Sequence, residues 1–160
     1  MLTIIIICCG KIKELFWNNA IDEYSKRLSK YIKLNIIEIP DEKVPDKVND
    51  NIINNIKNIE ANKMIQKLPK DSYIIALDLN GKQYSSEEFA QKISTYSVNG
   101  ISSITFIIGG TLGIGEEVMK LVNEKISFSK MTFPHQLMRV IFLEQLYRAC
   151  KINNNETYHR

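Results

Sequence analysis

The chain has 160 residues, enough for one domain, residues 1–160, with a substantial core that needs no metal or disulfide staple. Its net charge of +3 and pI of 8.7 are mildly basic, compatible with an RNA or phosphate-bearing partner but shared by many proteins that touch neither. No run approaches the roughly 20 apolar residues of a membrane span, and the short apolar amino terminus lacks a preceding basic segment and a small-residue cleavage site, so a soluble cytoplasmic protein is expected.

Leu2 to Cys9 is continuous, β-branched and closed by Gly10, the pattern of an inner parallel strand buried on both faces. Lys11 to Lys30 places Leu15, Phe16, Ala20, Tyr24 and Leu28 near helical spacing, and Leu34 to Ile39 reads as a second strand stopped by Pro40. Together they make a βαβ unit. Asp41 to Asp50 is a polar loop, and Val48 to Leu68 carries Ile52, Ile56, Ile59, Ala61, Ile65 and Leu68 on one side of a surface helix ended by Pro69.

Tyr73 to Leu79 is a third strand, followed by Asn80-Gly81, a strong turn signal. Ser85 to Glu88 fits a capping box that opens a helix through Tyr96, closed by Asn99-Gly100. Ser103 to Ile108 is the fourth strand and leads into Gly109-Gly110-Thr111-Leu112-Gly113-Ile114-Gly115. A short helix over Glu116 to Leu121, a short strand near Lys125 to Phe128 and a long helix from Phe133 complete the chain. Strand and helix alternate throughout, so the fold class is α/β with a mostly parallel sheet.

The glycine loop is the first place to look for a phosphate cradle. Its order, GGTLGIG, is neither GxGxxG nor a P-loop, and it follows the fourth strand instead of the first. It reads either as a tight turn needing positive φ or as bare backbone approaching a ligand at the carboxyl end of the sheet. Leu77 ends the neighbouring strand, and Asp78 just beyond it is a carboxylate available to a polar ligand or an ordinary turn residue. Cys8, Cys9 and Cys150 have no metal-ligand spacing and read as structural thiols in a reducing compartment; no metal site is expected. The long helix carries His135, Gln136, Arg139, Glu144, Gln145 and Arg148 among apolar residues nearly all round it, so groups other than solvent must satisfy them. Glu144 and Arg148 stand four apart in the favourable order for a helix ion pair. The chain ends on Tyr158, His159 and Arg160, where fraying is the default.

These residues occur in a combination that resembles a known family. Gly10-Lys11 after the first strand, Pro40 to Glu42, Leu77-Asp78 with Gly81-Lys82, Ile108 to Gly110, the run SFSKMTFPHQLMRVIFLEQLYRA from Ser127 to Ala149 and the terminal Tyr-His-Arg are similar, in order and spacing, to the ribosomal RNA large subunit methyltransferase H family of the SPOUT class. The likeness spans essentially the whole chain. Asn155 stands where many members carry Gly, and Cys9 where a Val or small apolar residue is more usual.

The resemblance implies helices on both faces of the sheet and a carboxyl-terminal trefoil knot, an exception to the usual absence of knots. It implies S-adenosylmethionine bent in that knot, held by Leu77, Gly109 and the loop Ile126, Ser127, Phe128, Ser129, Lys130 and Met131. It further implies a homodimer acting on the assembled ribosome, methylating N3 of a pseudouridine in helix 69 of large-subunit (23S) RNA, with Tyr158, His159 and Arg160 near the reacting atoms. In that setting His159 is the candidate base, Arg160 the candidate stabiliser of the N3 anion, and Tyr158 a stacking or hydrogen-bonding partner of the nucleobase. Arg139 and Arg148 are expected to tie the dimer together or to touch RNA phosphate. Two other readings stay open: an oxidoreductase holding a nucleotide cofactor on the glycine loop, and a ribosome-binding module without catalysis.

Overall fold

A computed structural model of the chain describes residues 1–160. The β-branched run Leu2–Cys9 forms β1, and α1 (Leu15–Leu28) carries the chain across to β2 (Ile32–Ile39). The remaining elements are α2 (Asp50–Lys67), β3 (Tyr73–Gln83), α3 (Ser86–Val98), β4 (Ser103–Ile108), α4 (Glu116–Met119), β5 (Glu124–Ser127) and α5 (His135–Asn153). The strands form one sheet in the order β2-β1-β4-β3-β5, and every neighbouring pair is parallel. β1 is therefore an inner strand, as its uninterrupted apolar run predicts.

The two-residue alternation of the strands divides the core. Ile4, Ile6, Cys8, Ile75, Ile104, Phe106 and Ile108 meet Leu28 of α1, Phe89 and Ile93 of α3, and Phe142, Leu143 and Leu146 of α5. Ile5, Ile7, Cys9, Ile74, Ala76 and Ile107 face the other way, onto Ala61 and Met64 of α2 and Val118 of α4. Helices thus cover both faces of the sheet. The rings of Phe106 and Phe142 are 4.6 Å apart and fully buried, and each such side chain stabilises the fold by roughly 1.5–3 kcal/mol. No helix is long and apolar enough to cross a membrane.

Local signals explain several boundaries. The capping box is present: Ser85 Oγ accepts from Glu88 N at 3.1 Å, and Ser85 N donates to Glu88 Oε2 at 2.7 Å. Asn155 has φ of 54°, the left-handed conformation that Gly adopts at least cost and Asn tolerates, just beyond the end of α5.

Three expectations change. α1 starts at Leu15, not Lys11, because Ile12 is buried and tied down: its N–H donates to Glu38 Oε2 at 3.3 Å, and Asn18 Nδ2 donates to its carbonyl at 3.0 Å. Leu15 and Phe16, which helical spacing assigns to the core, are exposed. β2 starts two residues early, at Ile32, paired with Leu2.

The third change is at Asn80-Gly81, which is not a turn. β3 runs on to Gln83 with an irregularity, so that both Leu77 and Lys82 pair with Ile126 of β5. A Cβ built on Gly81 would lie 2.7 Å from the backbone N and C of Ile126, so glycine is required here by close approach and not by turn geometry. Gly81→Ala should therefore force β5 away from β3 and destabilise the protein by roughly 1–3 kcal/mol, measured by equilibrium urea unfolding.

Candidate active site

Three adjacent strands deliver the residues singled out from the sequence. Leu77 pairs with Ile108 on one side and Ile126 on the other, so Leu77, the β4 end at Ile108-Gly109 and the β5 end at Ile126-Ser127 lie together at the carboxyl edge of the sheet. Beyond β5, Ser127 Oγ donates to Ser129 O at 3.0 Å and Met131 N donates to Ser129 Oγ at 2.9 Å, which fixes the path of the following loop. Lys130 and Met131 project outward, with Met131 74% exposed.

On the α3 and α5 side of this edge is a cavity of about 290 Å³, lined by Ile126, Ser127 and Phe128 together with Tyr84, Ser86, Phe89, Phe133, Ile141 and Gln145. This is near the lower end of the roughly 300–1,000 Å³ of small-ligand sites, and the mixture of aromatic walls with a few polar groups is typical of them. Leu77, Gly109, Ser129, Lys130 and Met131 do not line it. Tyr84, Ser86, Phe89 and Gln145 are wall residues that the sequence did not single out for this purpose; only the capping box at Ser85 and the oddly placed Gln145 hinted that this end of α3 and this face of α5 carry polar work.

The outer wall is held by Glu124 at the start of β5. Its carboxylate accepts from the hydroxyls of Tyr73 and Tyr84, each at 3.3 Å, and of Tyr96, and pairs with Lys92 Nζ at 2.5 Å. Burial alone would raise the Glu124 carboxyl, but Lys92 and the Tyr96 and Tyr73 hydroxyls hold it below the usual carboxylate range. Tyr84 is thereby fixed as a wall of the cavity, with Lys92 Nζ 4.7 Å from its ring centre.

Both terminal nitrogens of Arg139 find acceptors within the chain, while its Nε is buried without a partner. The residue is 3% exposed, and its guanidinium donates to Glu38 Oε2 at 2.7 Å, to Cys9 O at 2.9 Å and to Gly10 O at 2.5 Å. A planar fork of donors suits three acceptors that converge from the ends of β1 and β2. Within the chain Arg139 fastens the turn after β1, a role that its place on α5 alone does not reveal. His135, the first residue of α5, sits beside it against Asp41, and burial lowers its imidazole pKa, with Arg139 acting in the same direction.

Arg148 and Glu144 form the ion pair that their spacing predicts, with Arg148 Nε and Nη2 both donating to Glu144 Oε1 at 3.0 and 2.5 Å. The chain terminus docks onto this pair. Tyr158 Oη donates to Glu144 Oε1 at 3.1 Å, its ring meets Tyr147 edge-on at 4.9 Å between centres, and Arg148 lies over it at 4.8 Å. Burial and the neighbouring carboxylate push the Tyr158 phenol up to about 12. His159 bridges Arg148 Nη1 at 3.1 Å and Glu87 Oε1 at 2.6 Å. Fraying, the default for a terminus, gives way here to two side chains with specific partners on α3 and α5, while Arg160 stays exposed.

The glycines of this loop have a structural reason. A Cβ on Gly109 would lie 2.8 Å from the backbone of Gly113, one on Gly115 would lie 2.6 Å from Lys57 O, and Gly113 has φ of 91°. The recess beside Gly110 measures only about 10 Å³ and is bordered by Asp41, Glu42 and Glu60, which repel a pyrophosphate. A nucleotide cradle does not fit.

The family described as "Predicted SPOUT methyltransferase" matches residues 2–159. A protein of Clostridium novyi named "Ribosomal RNA large subunit methyltransferase H" is 55% identical over 159 residues, which cover 99% of this chain and 100% of that one. The "Putative ribosomal RNA large subunit methyltransferase H" of Methanococcus maripaludis is 51% identical over the same shares of both chains. Among solved structures, a probable methylase family protein from Haemophilus influenzae aligns with a TM-score of 0.53 over 99% of this chain and 70% of its own, at 11% identity, a likeness of fold alone.

Proposed function

The chain belongs to the ribosomal RNA large subunit methyltransferase H family of SPOUT methyltransferases, and from that premise we propose that it transfers a methyl group from S-adenosylmethionine to large-subunit ribosomal RNA. The finer reading is N3 of a pseudouridine in helix 69, methylated on the assembled ribosome by a homodimer of single-domain subunits whose carboxyl-terminal segment is knotted. The observation that supports the cofactor part of this reading is the cavity of about 290 Å³ formed where the end of β5 meets α3 and α5.

Its lining fits the cofactor. Ile126, Phe128, Phe89 and Phe133 offer apolar and aromatic surface to an adenosyl group, and Ser86, Ser127 and Gln145 offer hydroxyls and an amide to its polar edges. Leu77, Gly109 and the Ser129 to Met131 loop complete the proposed binding set at the same sheet edge. When bound, S-adenosylmethionine supplies a methyl group already activated on a sulfonium, so no metal is called for. The protein's share is positioning: hold the RNA nitrogen in line with that methyl group and exclude water. The N–C bond forms as the methyl–sulfur bond breaks, leaving S-adenosylhomocysteine, and the N3 proton is lost to solvent; the cationic Arg160 favours the N3 anion, with Tyr158 against the nucleobase.

Calorimetry with S-adenosylmethionine and with NAD tests the assignment. Binding of the first and not the second is expected. NAD binding without S-adenosylmethionine binding would point to an oxidoreductase, and RNA binding with neither would point to a non-catalytic module.

A further inference from the structure

His159 is enclosed by two partners of opposite kind. A guanidinium has only donors, so the 3.1 Å contact from Arg148 Nη1 requires the lone pair of His159 Nδ1. The ring proton then resides on Nε2, where it is donated to Glu87 Oε1 at 2.6 Å. An imidazolium would point an Nδ1–H at the Arg148 cation. In the docked tail both ring nitrogens of His159 are therefore engaged by protein partners, with the Nδ1 lone pair taken up by Arg148.

The bridge is one span of a longer circuit. Arg148 pairs with Glu144, Glu144 Oε2 accepts from Gln145 Nε2 at 2.7 Å, and Gln145 Oε1 accepts from Ser86 Oγ at 2.7 Å. Ser86 precedes Glu87 in the chain, so the circuit closes on itself. Ser86 and Gln145 also line the cavity, so the tail is fastened to the wall of the proposed cofactor site. Tyr158 enters through its own bond to Glu144.

We infer that His159 is a positioning residue, a bridge from Arg148 to Glu87 that holds the Tyr158 to Arg160 tail on α5 and α3, and not the proton acceptor of the reaction. Glu87, on the first turn of α3, is the residue that locks it. The assignment rests on the methyltransferase reading for its purpose, but not for its geometry.

A side-chain amide also presents one acceptor and one donor, and it does not titrate. His159→Ala should lower kcat on the order of 100-fold, the scale of a misplacement by about 1 Å, with little change in KM for S-adenosylmethionine. His159→Gln should recover activity to within about tenfold of the unaltered protein, the worth of roughly one neutral hydrogen bond. Glu87→Gln, which keeps an acceptor for Nε2–H, should do better than Glu87→Ala. A base would behave differently: Gln would be as defective as Ala, by about 100- to 10,000-fold, and that result overturns the inference.

Nitrogen-15 spectra of the two histidines give a readout independent of activity. The Nε2–H tautomer of His159 is expected, collapsing to a mixture in Glu87→Ala. An Nδ1–H tautomer or an imidazolium at mildly alkaline pH overturns the bridge. A protein that methylates nothing overturns the function proposed above, and the tautomer then decides the bridge alone.

Discussion

Arg139→Met will lower the free energy of unfolding by about 3 kcal/mol, as read from equilibrium chemical denaturation. Methionine keeps much of the stem and its packing but leaves the Cys9 and Gly10 carbonyls without their guanidinium donor and Glu38 without its cation. Unmade hydrogen bonds at buried carbonyls cost about 1–3 kcal/mol each before any relaxation, so the loss should exceed that of an ordinary surface substitution. Arg139→Lys should fall between the two, because one ammonium cannot span three acceptors with the geometry of a fork. The turn after β1 should loosen first, since Gly10 and Ile12 are both held through this group and Glu38. An unchanged denaturation midpoint would contradict this assignment.

Removing Tyr158 to Arg160 will abolish methyl transfer while S-adenosylmethionine binding stays within a few-fold of its original affinity, on the order of one hydrogen bond's worth. The cavity walls at Ile126 to Phe128, Phe89 and Phe133 do not depend on the tail; only Ser86 and Gln145 are joined to it, through Glu87 and Glu144. Turnover measured on ribosomal subunits, with calorimetry of the same sample, separates the two effects. Retained turnover would show that the terminus is merely a packed end, covering Tyr147.

Much of the architecture was legible. The apolar run of β1, the capping box at Ser85 and the β-strand pattern of Ser103 to Ile108 each depend on chemistry within a few residues, and each led to the right element. Errors arose where distant contacts decide. Asn80-Gly81 carries the local chemistry of a turn, yet its glycine answers to the backbone of Ile126 on another strand. Lys11 to Glu14 have acceptable helical spacing, but the burial of Ile12 and its bond to Glu38 hold them as a loop. Strand order could not be read either, because β1, β4 and β3 are adjacent through crossovers that leave no mark on local periodicity.

The site divides in the same way. Ile126, Ser127 and Phe128 were placed by a resemblance in motif, and they line the cavity. The opposite wall, from Ser86, Phe89 and Gln145, is assembled from two helices and only the folded chain shows it. The polar residues of α5 announced that they needed partners, but not which. Arg139 finds main-chain carbonyls 129 and 130 positions away, while Glu144 and Arg148 receive the terminus.

The most direct test of the central claim is transfer of tritiated methyl from S-adenosylmethionine to ribosomes, followed by mapping of the labelled nucleotide. One methyl group at N3 of a pseudouridine in helix 69 of the large-subunit RNA is the predicted result. Ribosomal RNA that stays unlabelled while the protein binds S-adenosylmethionine would contradict it.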